Sequence, residues 1–163
     1  MLYLLSVLPL LATLASAKPI MNRDRPIVKR DSTQLIYATR DNLCLSLEGG
    51  NTKYFADGTG PSPTDGTPVV SIDCDSATVW NINAGSGSIT VAGHEGFALD
   101  AGSSPGNFGS LKVWTSYPGL YQQTWYYTGD HRIAITGGDQ CLDEGDNGVQ
   151  TYQCTTGNTN QSE

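Results

Sequence analysis

Residues 141–161 bring together side chains that are able to bind a sugar. Asp143 supplies a carboxylate, Tyr152 an aromatic ring, and Asn160 and Gln161 two side-chain amides. The apolar C–H face of a pyranose packs on an aromatic ring, while its hydroxyl groups need hydrogen-bond partners at the edge of that ring. A carboxylate accepts from neighbouring hydroxyls and an amide both donates and accepts, so this segment is a candidate carbohydrate site.

The same arrangement occurs twice more upstream, which indicates an internal threefold repeat. The first block of the three copies is Cys44-Leu45-Ser46, Ala98-Leu99-Asp100 and Cys141-Leu142-Asp143. The second block is Val69–Cys74, Leu111–Ser116 and Val149–Cys154. Trp80 and Trp125 follow the first two copies, whereas Gln161 in the third is followed by Ser162 and Glu163. We therefore expect the last repeat to be truncated at its C-terminal strand.

Short runs of β-branched and aromatic residues carry these blocks, and Gly and Pro separate the runs. The runs are Gln34–Thr39, Val69–Ile72, Val79–Ile82, Ser88–Val91, Leu111–Trp114, Thr124–Thr128, Arg132–Thr136 and Val149–Tyr152. Regularly spaced short strands with turn signals between them are typical of an all-β sandwich or barrel. Asn51–Gly66, with its Gly and Pro residues, is interpreted as a loop inserted only in the first repeat.

The alternation of side chains along a strand predicts which aromatic rings reach solvent. In the second repeat the apolar Leu111 and Val113 share one face, and Trp114 shares the other face with a lysine. In the third repeat, Tyr152 likewise shares a face with Gln150. The apolar pair belongs in the core, so the rings should lie on a wet face. The alternative is that each ring only covers a neighbouring loop.

These motifs resemble the ricin B-type lectin domain, a carbohydrate-binding module with three Gln-x-Trp repeats. The resemblance rests on Cys-Leu-Asp at 141–143, on Tyr152 and Cys154, on Asn160-Gln161, and on the Gln-x-Trp of Gln123 and Trp125. It covers about residues 34–163. It implies a β-trefoil of twelve short strands in three pseudo-symmetric repeats, with at most one shallow sugar pocket per repeat.

The resemblance also implies the roles of individual residues. In the third repeat Asp143, Tyr152 and Asn160 hold the sugar, Gln161 orients the carboxylate, and Gln150 is a further contact. The corresponding set in the second repeat is Asp100, Trp114, Gln122 and Gln123, with Lys112 placed to form a salt bridge with Asp100. The first repeat has Ser46, Ile72 and Thr78 at the matching positions, so we expect it not to bind sugar.

The cysteines follow the repeats. Cys44 and Cys74 are both present in the first repeat and Cys141 and Cys154 in the third, while the second repeat lacks both members. Paired presence and paired loss predict the disulfides Cys44–Cys74 and Cys141–Cys154 out of three possible pairings. Metal ligation is the competing interpretation, but no histidine lies near either pair, so we predict neither a metal nor a cofactor.

The N-terminus has the pattern of a secreted protein. Residues 2–14 are almost entirely apolar, too short a stretch to span a bilayer comfortably, and Ala15-Ser16-Ala17 offers small residues for cleavage. Residues 1–17 are therefore predicted to be a signal peptide. Residues 18–30 are basic and end in Lys29-Arg30, which predicts a propeptide removed by a dibasic protease. The mature domain would be residues 31–163, outside the cell and not inserted in a membrane.

The charge of residues 31–163 limits the possible partners. This part of the chain has 15 acidic and four basic residues, a formal charge of about −11. An acidic protein does not offer the basic surface that nucleic acids require, and it repels polyanionic glycans. The sequence therefore predicts a secreted lectin for neutral glycans of galactose or xylose type; it does not predict the oligomeric state.

An enzyme and a protein-binding module are the two other functional classes to weigh. Glycoside hydrolysis needs two carboxyl groups facing each other across a cleft, whereas Asp143 and Glu144 are adjacent and should point to opposite faces of a strand. No serine or cysteine motif resembles an activated nucleophile, so we predict that the protein is not an enzyme. A secreted β-trefoil that binds a protein, for example a protease inhibitor acting through Asn51–Gly66, is the alternative to a lectin.

Overall fold

The computed structural model describes residues 32–127 and 129–161. The predicted signal peptide and propeptide lie outside the described residues, as do residues 31, 128, 162 and 163. Within the described part of the chain, no helix is long and apolar enough to cross a membrane.

The described residues form thirteen β-strands and four short 3-10 helices. The strands are β1 (Ser32–Gln34), β2 (Cys44–Leu47), β3 (Val69–Ile72), β4 (Trp80–Ile82), β5 (Gly85–Gly87), β6 (Thr90–Val91), β7 (His94–Asp100), β8 (Gly109–Ser110), β9 (Lys112–Thr115), β10 (Trp125–Tyr127), β11 (Ile133–Ile135), β12 (Gln140–Gly145) and β13 (Gly148–Gln153). The 3-10 helices are Gly50–Thr52, Cys74–Ser76, Tyr121–Gln123 and Thr159–Gln161. The all-β class is confirmed, with one strand more than the family resemblance implied.

Two of the longer strands, β7 and β12, were not predicted from the sequence. β7 and β12 each contain glycine and acidic residues, which are depleted in strands, so neither stands out as a β-branched run. Each is held instead by its partner strand, because β7 pairs with β9 and β12 pairs with β13 along several residues. The prediction of a strand at Gln34–Thr39 is wrong except at its first residue: β1 ends at Gln34, and Tyr37 makes only an isolated bridge to Cys44.

Each repeat contains one long antiparallel pair of strands: β2–β3 in the first, β7–β9 in the second and β12–β13 in the third. Matching positions pair in the same register, namely Ser46 with Val70, Asp100 with Lys112 and Asp143 with Gln150. The pair β7–β9 is part of a five-stranded sheet and the pair β12–β13 of a six-stranded sheet, while β2 and β3 form a separate two-stranded sheet. This threefold architecture is the β-trefoil that the sequence resemblance implied.

The core is formed by apolar side chains contributed by all three repeats. Trp80 and Trp125 are almost fully buried, and each indole Nε1 donates to a backbone oxygen of the aligned strand in its own repeat. Trp80 donates to Leu45 over 2.9 Å, and Trp125 donates to Leu99 over 3.0 Å. The two Gln-x-Trp-type tryptophans therefore have equivalent structural roles, since a buried indole N–H needs a partner.

Both predicted disulfides are confirmed. Cys44 is bonded to Cys74 and Cys141 to Cys154, with a Cα–Cα distance of 5.0 Å in each pair. Each bond joins the first strand of a pair, β2 or β12, to the segment that follows the second strand. On the chain-entropy model each bond stabilises the fold by about 3 kcal/mol. In the second repeat the position of the first cysteine is occupied by Ala98, which is fully buried.

Candidate functional site

Asp143 on β12 is the centre of a polar network in the third repeat. Its side chain is buried, and only 2% of the residue is exposed. The Oδ1 atom accepts from the amide of Gln150 over 3.0 Å, and Oδ2 accepts from the amides of Gln161 over 3.0 Å and Asn158 over 3.2 Å. Three donors, one from β13 and two from residues 158–161, fix the orientation of the carboxylate before any ligand arrives.

Gln161 holds this carboxylate from beneath. Its side chain is fully buried and makes two bonds besides the one to Asp143. The amide Nε2 also donates to the backbone oxygen of Gln153 over 3.0 Å, and Oε1 accepts from the backbone N–H of Thr155 over 2.9 Å. Gln161 is thus a positioning residue that a ligand at the surface does not reach.

A shallow pocket of about 210 Å³ opens beside Asp143, and we call it site three. Its lining residues are Phe108, Asp143, Gly145, Asp146, Asn147, Gln150, Tyr152, Asn158 and Asn160. Tyr152 is partly exposed, and its ring shares this pocket with the Asp143 carboxylate and four side-chain amides. The predicted residues of the third repeat other than the buried Gln161 therefore lie together at one surface.

The amide nearest to the carboxylate is not the one that the sequence motif indicates. Asn158 donates to Asp143, whereas Asn160 lines the pocket and its backbone N–H donates to Oδ1 of Asn158 over 3.1 Å. Asn158 lies two residues before the Asn-Gln motif. Its residue type, the same as that of Asn160, was the only sequence signal for it. Site three consequently has Asn158 and Asn160 at its edge, in addition to Asn147.

Gly145 makes room for the Gln150 amide. A Cβ atom on Gly145 would lie 2.2 Å from Nε2 of Gln150, which is closer than any real contact. We expect Gly145→Ala to push this amide off Asp143 and to weaken glycan binding at site three by about three- to tenfold, the value of one ordinary hydrogen bond. The free energy of unfolding should change little, because only the end of a flexible side chain must move. Titration calorimetry and urea unfolding measure the two quantities.

Gly87→Ala is the matched control for this substitution. No atom lies within 4 Å of a Cβ built on Gly87, which is on β5, away from the site. Its affinity for glycans should equal that of the wild type. Equal losses in the two variants would show that Gln150 has no role in binding.

Site two is the corresponding pocket of the second repeat, with a volume of about 300 Å³. Its lining residues are Asp100, Gly102, Ser103, Lys112, Trp114, Tyr117, Leu120 and Gln122. Asp100 is 3% exposed; its Oδ2 accepts from the amide of Gln123 over 2.9 Å and its Oδ1 from the backbone N–H of Gly102 over 2.7 Å. Gln123 is fully buried and repeats the role of Gln161, while Trp114 is 37% exposed.

Lys112 does not form the predicted salt bridge with Asp100. Its ammonium group lies 5.2 Å from the centroid of the Trp114 ring, in a cation–π contact. Among residues 32–127 and 129–161, the ion pairs join Arg40 to Asp146 and Arg132 to Asp130. Lys112 and Asp100 are paired across adjacent strands. The lysine side chain nevertheless extends over the ring of Trp114, and the Asp100 carboxylate accepts from the amide of Gln123.

The first repeat has hydroxyl groups where the others have a carboxylate and an amide. Ser46 is fully buried, and its Oγ lies 3.1 Å from Oγ1 of Thr78. The backbone N–H of Thr78 donates to Ser46 Oγ over 3.0 Å, and that of Leu47 donates to Thr78 Oγ1 over 3.0 Å. This pair connects the two segments of the first repeat that are equivalent to those connected by Asp143 and Gln161 in the third. It presents no charged acceptor to a ligand.

The neighbouring carboxylate, Glu144, belongs to a different environment. Its Oε1 accepts from the hydroxyl of Ser71 over 2.6 Å, on the opposite side of β12 from Asp143. Burial raises the pKa of the Glu144 carboxyl, and the bond from Ser71 opposes that effect. Among the described residues, no three His, Cys, Asp or Glu side chains converge as the ligands of a metal ion do.

Comparison with protein families gives a match over nearly all of the described chain. The family model for the Ricin-type beta-trefoil lectin domain matches residues 32–162. A comparison with curated protein sequences found no match.

Solved structures with the same fold include two lectins and a designed protein. The designed 3-fold symmetric protein ThreeFoil is 20% identical with a TM-score of 0.57, over 79% of this chain and 94% of ThreeFoil. The C-half of the earthworm R-type lectin in complex with GalNAc is 18% identical with a TM-score of 0.57, over 80% of this chain and 94% of that one.

The earthworm lectin C-terminal domain mutant in complex with 6'-sialyllactose is 17% identical with a TM-score of 0.54, over 80% of this chain and 93% of that one. At such identities the structural likeness establishes the fold, and the family match establishes the relationship. The chain belongs to the ricin-type β-trefoil lectin family.

Proposed function

We propose that this protein is a secreted lectin that binds neutral glycans of galactose or xylose type through sites two and three. Family membership supports carbohydrate binding in general. Two of the structural relatives were solved with a bound sugar, GalNAc in one and 6'-sialyllactose in the other. Two intramolecular disulfides also fit an oxidising, extracellular compartment.

The observation that carries this proposal is the repeated pairing of a buried carboxylate with a partly exposed aromatic ring. Asp143 and Asp100 are both held by a fully buried glutamine, and each lines a shallow pocket with Tyr152 or Trp114. A buried carboxylate that is already oriented loses little entropy when it accepts from sugar hydroxyls. The ring offers the apolar surface that a pyranose face requires.

Each site should be weak by itself. Two or three hydrogen bonds near solvent contribute roughly 1 kcal/mol each, and ring stacking contributes about 1 kcal/mol more. This total corresponds to a dissociation constant in the millimolar range. Two sites on one rigid body bind a repeated glycan more tightly than either site alone, through their effective concentration.

We further propose that the protein binds glycans without hydrolysing them. A glycosidase places two carboxyl groups on opposite sides of the scissile bond. Asp143 and Glu144 instead lie on opposite sides of one strand and bond to separate partners, Gln161 and Ser71. The carboxylate of Asp143 is occupied by amide donors, which suits recognition of hydroxyl groups more than proton transfer.

The proposal is tested with the chain secreted from a eukaryotic host. We expect binding on a glycan array to neutral galactose- or xylose-terminated glycans, millimolar titrations with the free sugars, and no release of reducing sugar after prolonged incubation. Ser46→Ala should leave binding unchanged, because the first repeat offers no carboxylate.

Two results would contradict the proposal. Loss of glycan binding in Ser46→Ala would show that the first repeat binds the glycan, contrary to the assignment of binding to sites two and three. An array without any neutral-glycan signal, together with tight inhibition of a protease, would favour the protein-binding alternative.

A further inference from the structure

Phe108 has a backbone conformation that is unfavourable for its residue type. Its φ is 64°, in the left-handed region, and the other described non-glycine residues there are Asn42 and His131. Asn and His tolerate this region, whereas a bulky aromatic residue is a clear outlier. Phe108 is nevertheless 67% exposed, so core packing does not explain why a large apolar side chain is placed at this position.

The conformation is imposed by a loop that attaches the second repeat to the third. The Oδ1 atom of Asn107 accepts from the backbone N–H of Gln153 over 2.8 Å. The backbone N–H of Phe108 donates to the oxygen of Thr151 over 2.9 Å. These two bonds fasten the loop to β13, the strand that carries Tyr152.

The same attachment joins the first repeat to the second, but with a glycine. Oδ1 of Asp65 accepts from the backbone N–H of Thr115 over 2.6 Å, and the N–H of Gly66 donates to the oxygen of Val113 over 2.9 Å. Gly66 has a φ of 87°, which glycine adopts without strain. Gly66 and Phe108 each lie three residues before matching positions of the second block, Val69 and Leu111. Glycine is thus the residue that this turn favours, and the second repeat departs from it.

The side chain at this position decides the shape of the adjacent site. The Phe108 ring lies 5.1 Å from the Tyr152 ring, centroid to centroid, at an interplanar angle of 73°, and it lines site three. At Gly66 the matching space is open to Trp114: a Cβ atom there would be 3.8 Å from the indole ring. Site three therefore has a second aromatic ring, nearly perpendicular to that of Tyr152, at the position where site two has no side chain. The second ring of site two, that of Tyr117, comes from its own repeat and follows β9.

We propose that Phe108 forms a second sugar subsite beside Tyr152, so that site three recognises a disaccharide unit and not only a single sugar residue. A flat pyranose lies face-on against only one of two perpendicular rings. The ring of Phe108 then packs against the next residue of the glycan. This inference rests on the proposed lectin function and specifies the ligand of one of its sites.

Phe108→Gly tests this inference, because it gives site three the residue that site two already has. Both proteins carry Asp100→Ala, so that only site three is titrated. The probes are galactose against lactose and xylose against xylobiose, measured by calorimetry or by NMR line positions. We expect the preferred disaccharide to bind about three- to tenfold more weakly and the monosaccharide to change less than twofold.

Phe108→Asn is the second variant, since asparagine also tolerates the left-handed region. It should show the same disaccharide-specific loss, and neither variant should have a lower Tm than its parent. Equal losses for monosaccharide and disaccharide would overturn the subsite, since they would mean that Phe108 only supports Tyr152. Unchanged disaccharide affinity would overturn it as well.

The test separates this inference from the lectin proposal. If Asp143→Ala abolishes binding while Phe108→Gly leaves it intact, only the subsite is wrong. If the parent binds none of the four sugars, or Asp143→Ala binds as the parent does, both proposals are wrong.

Discussion

Alanine at Asp143 is expected to weaken glycan binding at site three by about 100-fold, which makes a millimolar affinity unmeasurable. The carboxylate is the charged acceptor of the pocket, and hydrogen bonds to charged groups are worth about 1.5–3 kcal/mol each. Three amides already donate to this carboxylate, so the substitution removes the remaining acceptor position for one sugar hydroxyl. It also releases the amides of Gln150 and Asn158. Calorimetric titration with lactose or xylobiose in the Asp100→Ala background measures the loss.

The fold should survive this substitution. Three amides lose an acceptor, at about 1–3 kcal/mol for a buried group, but both disulfides and the tryptophan core remain. Near-ultraviolet circular dichroism checks this point. Ser46→Ala is the control at the matching position. If Asp143→Ala bound as well as the control, the carboxylate would have no part in recognition.

Alanine at Trp125 is expected to lower the free energy of unfolding by about 3–5 kcal/mol, the usual cost of removing a large aromatic residue from a core. Trp125 is 1% exposed, and its indole N–H is the donor to the backbone oxygen of Leu99. The substitution leaves a cavity and an unsatisfied carbonyl at the same point. Urea unfolding followed by fluorescence of the remaining tryptophans measures the change.

Tyr126→Ala is the matched control because Tyr126 is the next residue of β10. It is 48% exposed, so its truncation should change stability by no more than about 0.5 kcal/mol. Similar losses in the two variants would mean that burial does not distinguish the two faces of this strand. A loss confined to Trp125→Ala supports the role of the tryptophan as a core element of its repeat.

The repeat alignment made much of the fold predictable from sequence. Matching cysteines predicted both disulfides, and the Gln-x-Trp motif marked a buried tryptophan whose indole bonds are the same in two repeats. Alternation along β9 and β13 predicted that Trp114 and Tyr152 face away from the core, and both are partly exposed. Such features depend on local pattern and on comparison between copies, so one chain is enough to reveal them.

Contacts between repeats, the choice between two possible side-chain partners, and residues outside the recurring motif were not predictable in this way. Phe108 reaches site three from the second repeat, and only the pairing of β8 with β13 brings it there. Lys112 had two possible partners, Asp100 and Trp114, and the local geometry of β9 selected the ring. Asn158 lies outside the recurring motif, so comparison of the copies gave it no special weight.

The hydrogen bond between the hydroxyl groups of Ser46 and Thr78 indicates how a protein of this fold can change its number of sugar-binding sites. In the second and third repeats the acid and its glutamine connect a strand pair to the 3-10 helix that carries the glutamine. Deleting the acid alone would therefore leave buried donors without a partner at this connection. In the first repeat both partners are replaced together by smaller groups that still match each other. A repeat can thus lose its sugar site and still keep the connection between these two segments, provided that the two positions change as a pair.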